Sequence, residues 1–259
     1  MITAMMLPPS NLAIASLGVM SVAFLAIAFA EQAAPVAATS GTRLRANFGL
    51  GVTNGLLMLA LPTGTAAASL FAAQHGWGLL QSIDAPWLLG VLILLAARSL
   101  STYGLHRLFH AVPWLWRFHR VHHSDLHCDL STSFRSHPVE ALIALPLAML
   151  ITTAVGPRIE QLIAVETLLV TIAMWEHGQT GPVRRMERWL GLVVATPHQH
   201  RLHHSADPLH RDRNFGDGLI LWDRLFGTYV PGAELENFGV SDCPTGIGLR
   251  ALLTQPFRR

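Results

Sequence analysis

The chain has 259 residues, 51% of them hydrophobic and 13% charged, with a formal net charge of +2 and a mean hydropathy of +0.39; this balance is that of a membrane protein rather than a soluble domain. Every basic side chain is an arginine, and no basic run interleaves with aromatics, so topology and anionic headgroups explain the charge better than nucleic acid does. The two cysteines, Cys128 and Cys243, are too few and too far apart for a disulfide scaffold, a zinc ribbon or an iron–sulfur cluster.

An apolar run from about Leu12 to Ala30 approaches the length needed to cross the hydrocarbon. No basic residue precedes it, and Glu31 and Arg43 follow it, which favours a retained span over a signal peptide. A second run, about Phe48 to Ala73, contains Pro62 and is expected to kink there. A third begins at Trp87 and continues through Tyr103 to about residue 105, where it meets the pair His106/His110. Then come His119, His122 and His123. Pro138 opens a fourth run that reaches Val155, and Gly156-Pro157 turns the chain into a fifth from Ile159 to about residue 176. His200, His203 and His204 follow, and the segment after about Leu209 is more polar. The expected architecture is a single all-α membrane domain over 1–259, a helical bundle of about four to five spans (12–30, 48–73, 87–105, 138–155 and 159–176). A helical cap carries the histidines.

Residues three and four apart share a helix face, so H-R-L-F-H, H-R-V-H-H and H-R-L-H-H each aim their imidazoles in one direction, as ready-made metal sites. Eight such histidines exceed the needs of one ion and suit two, with positions left open for oxygen or substrate. No acidic residue lies inside any cluster, so the site is all nitrogen. Arginines gather around the clusters (Arg43, Arg45, Arg107, Arg117, Arg120, Arg135, Arg201), whereas Gln74 to Pro86 has none. The positive-inside rule then puts the clusters on the cytoplasmic face. Asp125, Asp129, Glu140, Glu176 and Asp223 are the acids nearest in sequence, candidates to orient an imidazole N–H or instead to pair with Arg120, Arg135 or Arg224.

Taken together, H-R-L-F-H, W-R-F-H-R-V-H-H-S-D, S-F-R-S-H-P-V-E, H-R-L-H-H-S and N-F-G-D-G-L-I-L-W-D-R-L-F-G-T-Y resemble the fatty acid hydroxylase/sterol desaturase superfamily over roughly Tyr103 to Tyr229. The resemblance implies an integral-membrane di-iron oxygenase that uses dioxygen to hydroxylate or desaturate an unactivated C–H position of a lipid. It implies two iron ions, with zinc a substitute on purification. The implied ligands are His106, His110, His119, His122, His123, His200, His203 and His204, with His177 in W-E-H-G-Q and His137 in H-P-V-E as further ones. Tyr103 is a candidate to contact oxygen or substrate. The pattern departs from the family at Gln179, where Asn is common, and at Ser99, where an acid is common.

No G-x-G-x-x-G and no flavin or haem signature is present, so electrons must come from a separate ferredoxin, cytochrome or reductase. Arg184, Arg185 and Arg188 are candidates for its docking surface, or they obey the positive-inside rule alone. Arginine without lysine suggests a GC-rich bacterial genome and hence a bacterial inner membrane. The alternative is a histidine-rich membrane metal-binding or metal-transport protein without oxygenase activity, though such a protein would place ligands along a path within its spans.

Overall fold

The computed structural model describes residues 9–32, 40–61, 64–179, 188–231, 237–240 and 248–258. Among these the chain is all-α; the only β pairing is two isolated bridges, Val194 with Leu219 and Ser205 with Phe238. The long helices are α1 (Pro9–Gln32), α2 (Gly41–Ala60), α5 (Trp87–Ala111), α7 (Pro138–Val155) and α8 (Ile159–His177). Shorter ones are α3 (Thr65–His75), α4 (Leu79–Ser82), α6 (Pro113–His123), α9 (Pro197–His203), α10 (Pro208–Arg211), α11 (Leu221–Phe226) and α12 (Leu249–Thr254). Proline fits the first turn of a helix because the missing N–H would have no partner there. Pro113, Pro138 and Pro197 start α6, α7 and α9 in this way.

Among the described residues four segments are long and apolar enough to cross a membrane: Asn11–Gln32, Gly41–Ser82, Trp87–Ala111 and Pro138–Val155. The run expected to kink near Pro62 starts earlier, at Gly41, and is two helices. Pro62 itself lies outside the described residues. Leu61 before it is extended, the conformation that a following proline imposes. The expected fifth span, α8, is not among the four, because Glu160, Gln161, Glu166 and Glu176 interrupt its apolar run. It runs between the same two ends as α7, packed against α1, α3, α5 and α9.

The bundle has two ends. At one, the turns before α4 and after α7 touch backbone to backbone: a Cβ on Gly78 would lie 2.5 Å from the Gly156 nitrogen, and both glycines have positive φ. Leu94, Val155, Leu162 and Val165 form the apolar core beneath this contact. At the other end α1, α5 and α8 finish and α2 and α7 begin. Glu31, at the end of α1, accepts the backbone N–H of Leu130 (2.8 Å) and of Gln179 (2.9 Å), tying that helix to the polar cap. Arg43, Arg107, Arg117, Arg120, Arg135 and Arg201 all lie at the cap end, against Arg158 at the far one.

Candidate metal centre

Nine histidines converge at the cap end in two groups, each able to offer one ligand atom per residue within 4.8 Å of the others. His106, His110, His119, His123 and His203 form the first; His122, His177, His200 and His204 form the second. Each triplet, its imidazoles read from spacing as aimed one way, is divided between the groups. His119 and His123, four apart on α6, turn to the first group and His122 to the second. The other triplet mirrors this, with His200 and His204 in the second group and His203 in the first. A step of four residues keeps a side chain nearly on its row, whereas adjacent residues diverge around the helix. The rings of His122 and His123 accordingly stand at 89°, as do those of His203 and His204.

The outer nitrogens explain why the inner ones converge. Nδ1 of His106 donates to the carbonyl of Phe215 (2.9 Å), His122 to Arg135 (3.2 Å), His177 to Ala173 (2.6 Å) and His203 to Arg213 (2.8 Å). Nδ1 of His110 faces Asp212 Oδ1 at 2.9 Å, and Nδ1 of His119 faces Glu140 Oε2 at 2.6 Å. A carbonyl only accepts, so its histidine is protonated at Nδ1 and a neutral ring keeps a lone pair on Nε2. Those lone pairs meet head-on: His106 Nε2 is 3.0 Å from both His119 Nε2 and His203 Nε2, and His177 Nε2 is 3.2 Å from His122 Nε2. Burial, and then the nearness of the other imidazoles, holds His122, His123, His200, His203 and His204 well below the usual imidazole range. They stand neutral at pH 7. Nε2 of His110 and Nδ1 of His123 and His200 are buried with no hydrogen-bond partner. Facing lone pairs and orphaned nitrogens are unfavourable unless a cation fills the space between them, so the donor set fits metal ions.

The loops that deliver these acceptors account for the remaining motifs. Asp223 of W-D-R does not pair with Arg224; it takes the backbone N–H groups of Phe215 (2.8 Å) and Gly216 (2.6 Å) and the hydroxyl of Thr228 (2.6 Å). Asn214, at φ 52°, turns the chain so that Arg213 and Phe215 present their carbonyls to His203 and His106. N-F-G-D and W-D are thus one device that orients two histidines. Asp125 and Asp129 likewise face neither a histidine nor Arg120 or Arg135. Arg43 claims both, through Nε to Asp125 (2.6 Å) and Nη1 to Asp129 (2.7 Å). Asn47 links Asp125 (2.9 Å) to Arg135 (2.8 Å), whose carbonyl holds His122.

Glu140 has two tasks. One oxygen accepts the His137 backbone N–H in the capping box of α7 (2.9 Å), and the other orients His119. Glu140→Ala is expected to weaken metal binding by the first group about 10–100-fold, the usual cost of losing such an orienting partner. A chelator titration of the purified protein, with iron retention as readout, measures it; retention equal to wild type would refute the assignment. Glu176, buried behind the second group, brings Oε1 to 3.9 Å from His200 Nδ1, beyond hydrogen-bond length, and neither atom has another partner.

His137 lies outside both groups. Its Nδ1 accepts the N–H of Val139, and its Nε2 donates to the carbonyl of Leu253, so both nitrogens are engaged in capping α7 and holding the C-terminal segment. Tyr103 is not brought to the histidines either: its hydroxyl meets Thr228 Oγ1 at 2.9 Å and its ring stacks on Phe226. Ser99 accepts the indole N–H of Trp222 (3.0 Å), and Gln179 donates to the Cys128 carbonyl (3.2 Å), so both departures from the family pattern hold neighbouring segments together. Arg184, Arg185 and Cys243 lie outside the described residues. Asp212 was not anticipated, since nothing in its spacing points to His110, 102 residues away.

A cavity of about 310 Å³ opens beside both groups, with His106, His119, His122, His177 and His200 in its wall. One face of α5 (Leu105 and Phe109) and one of α7 (Ala141, Ala144 and Leu147) give it an apolar side, with Ser133, Ser136, Glu140 and Asp217 also in its lining. Such a chamber suits a hydrocarbon chain laid against the metal site.

The fatty acid hydroxylase family model matches residues 91–228. An alkylglycerol monooxygenase of Danio rerio is 31% identical over 55% of this chain and 31% of its own length. An ornithine lipid hydroxylase of Rhizobium tropici is 29% identical over 67% of this chain and 52% of its own, and a human alkylglycerol monooxygenase is 29% identical over 61% and 34%. The chain thus spans about a third to a half of the length of these curated relatives. No solved structure matches it.

Proposed function

Because the chain belongs to the fatty acid hydroxylase family, we propose that it is a membrane-bound oxidoreductase that hydroxylates an unactivated C–H position of a lipid. Dioxygen is the co-substrate: one oxygen atom enters the lipid and the other leaves as water, with two electrons and two protons supplied from outside. The observation that carries this reading is the division of nine histidines into two nitrogen-only groups that share the wall of one largely apolar cavity. A transport protein needs a path through its spans; here both groups lie at one end of the bundle.

Two iron ions are the metals proposed, one per group; when bound they supply the dioxygen activation that an aliphatic C–H bond requires. The chain's own residues do the rest. Phe215, Arg213, Arg135, Ala173, Glu140 and Asp212 hold the imidazoles in place, so that little reorganisation is needed when metal binds. The alanines of α7 leave room for a chain, and the surrounding helices exclude water from the reacting carbon. By the positive-inside rule the arginines at the cap end support a cytoplasmic orientation of the site; the proposed setting is a bacterial inner membrane, with a separate ferredoxin, cytochrome or reductase as the proposed electron donor.

The test supplies iron-reconstituted protein in lipid nanodiscs with ¹⁸O₂, a ferredoxin–reductase pair and either 1-O-hexadecylglycerol or ornithine lipid, the classes named by the relatives. One of these is expected to gain labelled oxygen in a reductant-dependent reaction. An unlabelled product lacking two hydrogens would replace hydroxylation by desaturation. No oxygen-dependent product from either lipid or from total bacterial membrane lipid would overturn the oxygenase reading.

A further inference from the structure

The part of the cavity farthest from the histidines is not apolar. Arg98, Ser101 and Thr102 line it, on the same face of α5 as His106. Eight residues separate Arg98 from His106, about 12 Å along a helix. Ala148 stands at the matching depth on α7, eight residues beyond Glu140. An arginine at this level of a membrane-spanning helix is costly and calls for a partner. Glu166 of α8 is that partner, with Oε1 3.1 Å from Arg98 Nε and 3.1 Å from Nη2. Nη1 has no hydrogen-bond partner among the described residues, although the Arg98 side chain is only 13% exposed. Ser101 and Thr102 both donate their hydroxyl protons to the Arg98 carbonyl, at 2.7 and 3.1 Å, which leaves their oxygen lone pairs free to accept.

Building on the lipid-oxygenase reading, we infer that Arg98, Ser101 and Thr102 form a subsite for a neutral oxygen-bearing group of the lipid, a hydroxyl, ether or ester, one to two helical turns, about 6–12 Å of rise, below the level of His106. The charge balance selects the class. Arg98 and Glu166 already neutralise one another, so an anionic headgroup would leave a net negative charge in a medium of low dielectric. A neutral oxygen accepts the spare guanidinium N–H without that cost. A hydroxyl would also donate to Ser101 or Thr102. A plain alkyl chain would leave the guanidinium N–H unmet and bind less well.

The test is competition for bound tritiated 1-hexadecanol on the full-length protein in detergent micelles, with unlabelled 1-hexadecanol or n-hexadecane as competitor. Micelle partitioning is the same for every variant, so the ratio between variants reads the site. In wild type the alcohol is expected to compete about tenfold better than the alkane, the scale of one hydrogen bond to a charged donor. Arg98→Met/Glu166→Gln removes both charges together and is expected to abolish that preference while iron content stays at the wild-type level. Arg98→Lys keeps the charge opposite Glu166 but loses the fork, and it is expected to bind the alcohol less well should the double variant fail to fold. An unchanged preference in the double variant, or in Arg98→Lys when that is the variant that folds, overturns the subsite. Binding is read without turnover, so a wild-type protein that shows the preference yet oxidises no lipid supports the subsite and fails the oxygenase reading alone.

Discussion

His122→Ala/His204→Ala is expected to lower iron from about two ions per chain to about one, since only His177 and His200 remain in that group, and His123→Ala/His203→Ala to loosen the other, whose group keeps His106, His110 and His119. Each pair takes one residue from each H-x-x-H-H triplet. If the triplets were the sites, either double would weaken both ions alike. In the structure His122 and His204 belong to one group, and His123 and His203 to the other. Either double therefore spares one ion completely. Plasma emission spectroscopy after graded chelator treatment separates the cases: a remaining iron that resists chelation like wild type marks the divided arrangement. Two equally loosened irons in both doubles would sink it. Zinc found on purification is replaced by iron reconstitution before the count is taken. No stoichiometric metal in the wild type, even then, would remove the metal centre itself.

Arg43→Ala is expected to destabilise the folded protein by about 3–5 kcal/mol, the cost of leaving buried charge without its partner. The guanidinium is buried and bridges Asp125 and Asp129, both buried in turn. Among the described residues neither acid has another cation as a hydrogen-bond partner. The effect reaches the metal centre because Asp125, Asn47 and Arg135 are linked, and the Arg135 carbonyl orients His122. Thermal unfolding in detergent, followed with iron content, reads both consequences. Arg43→Met/Asp125→Asn/Asp129→Asn, which removes all three charges, is expected to recover much of the loss. A change under about 0.5 kcal/mol for Arg43→Ala would place it among ordinary surface substitutions and refute the bridge.

The histidines were legible because metal ligation imposes local spacing. Steps of three and four residues bring side chains to one part of a helix whatever the rest of the fold does, so His106/His110, His119/His122/His123 and His200/His203/His204 stand out by counting alone. The apolar runs were legible for a similar reason, since a span must satisfy its own backbone in place. The limit of such reading shows at α8, whose apolar run carries Glu160, Glu166 and Glu176 and so is less plainly written than the other four. His137 shows it again: H-P-V-E matched a motif, yet the same residues make a capping box with Glu140.

What the sequence by itself determined is the membrane character, the all-α class, the clustered histidines and the family, each written in composition or in short spacings. Only the tertiary structure decided which histidine joins which group and what orients each ring. It also decided that Asp125 and Asp129 answer to Arg43, and that Arg98 reaches the cavity with Glu166 behind it. Arg43 and Asp125 are 82 residues apart, and His106 leans on a carbonyl 109 residues away. A backbone carbonyl has no residue identity, and a contact closed by folding has no fixed spacing; the packing of α2, α5 and α8 around the cap supplies both.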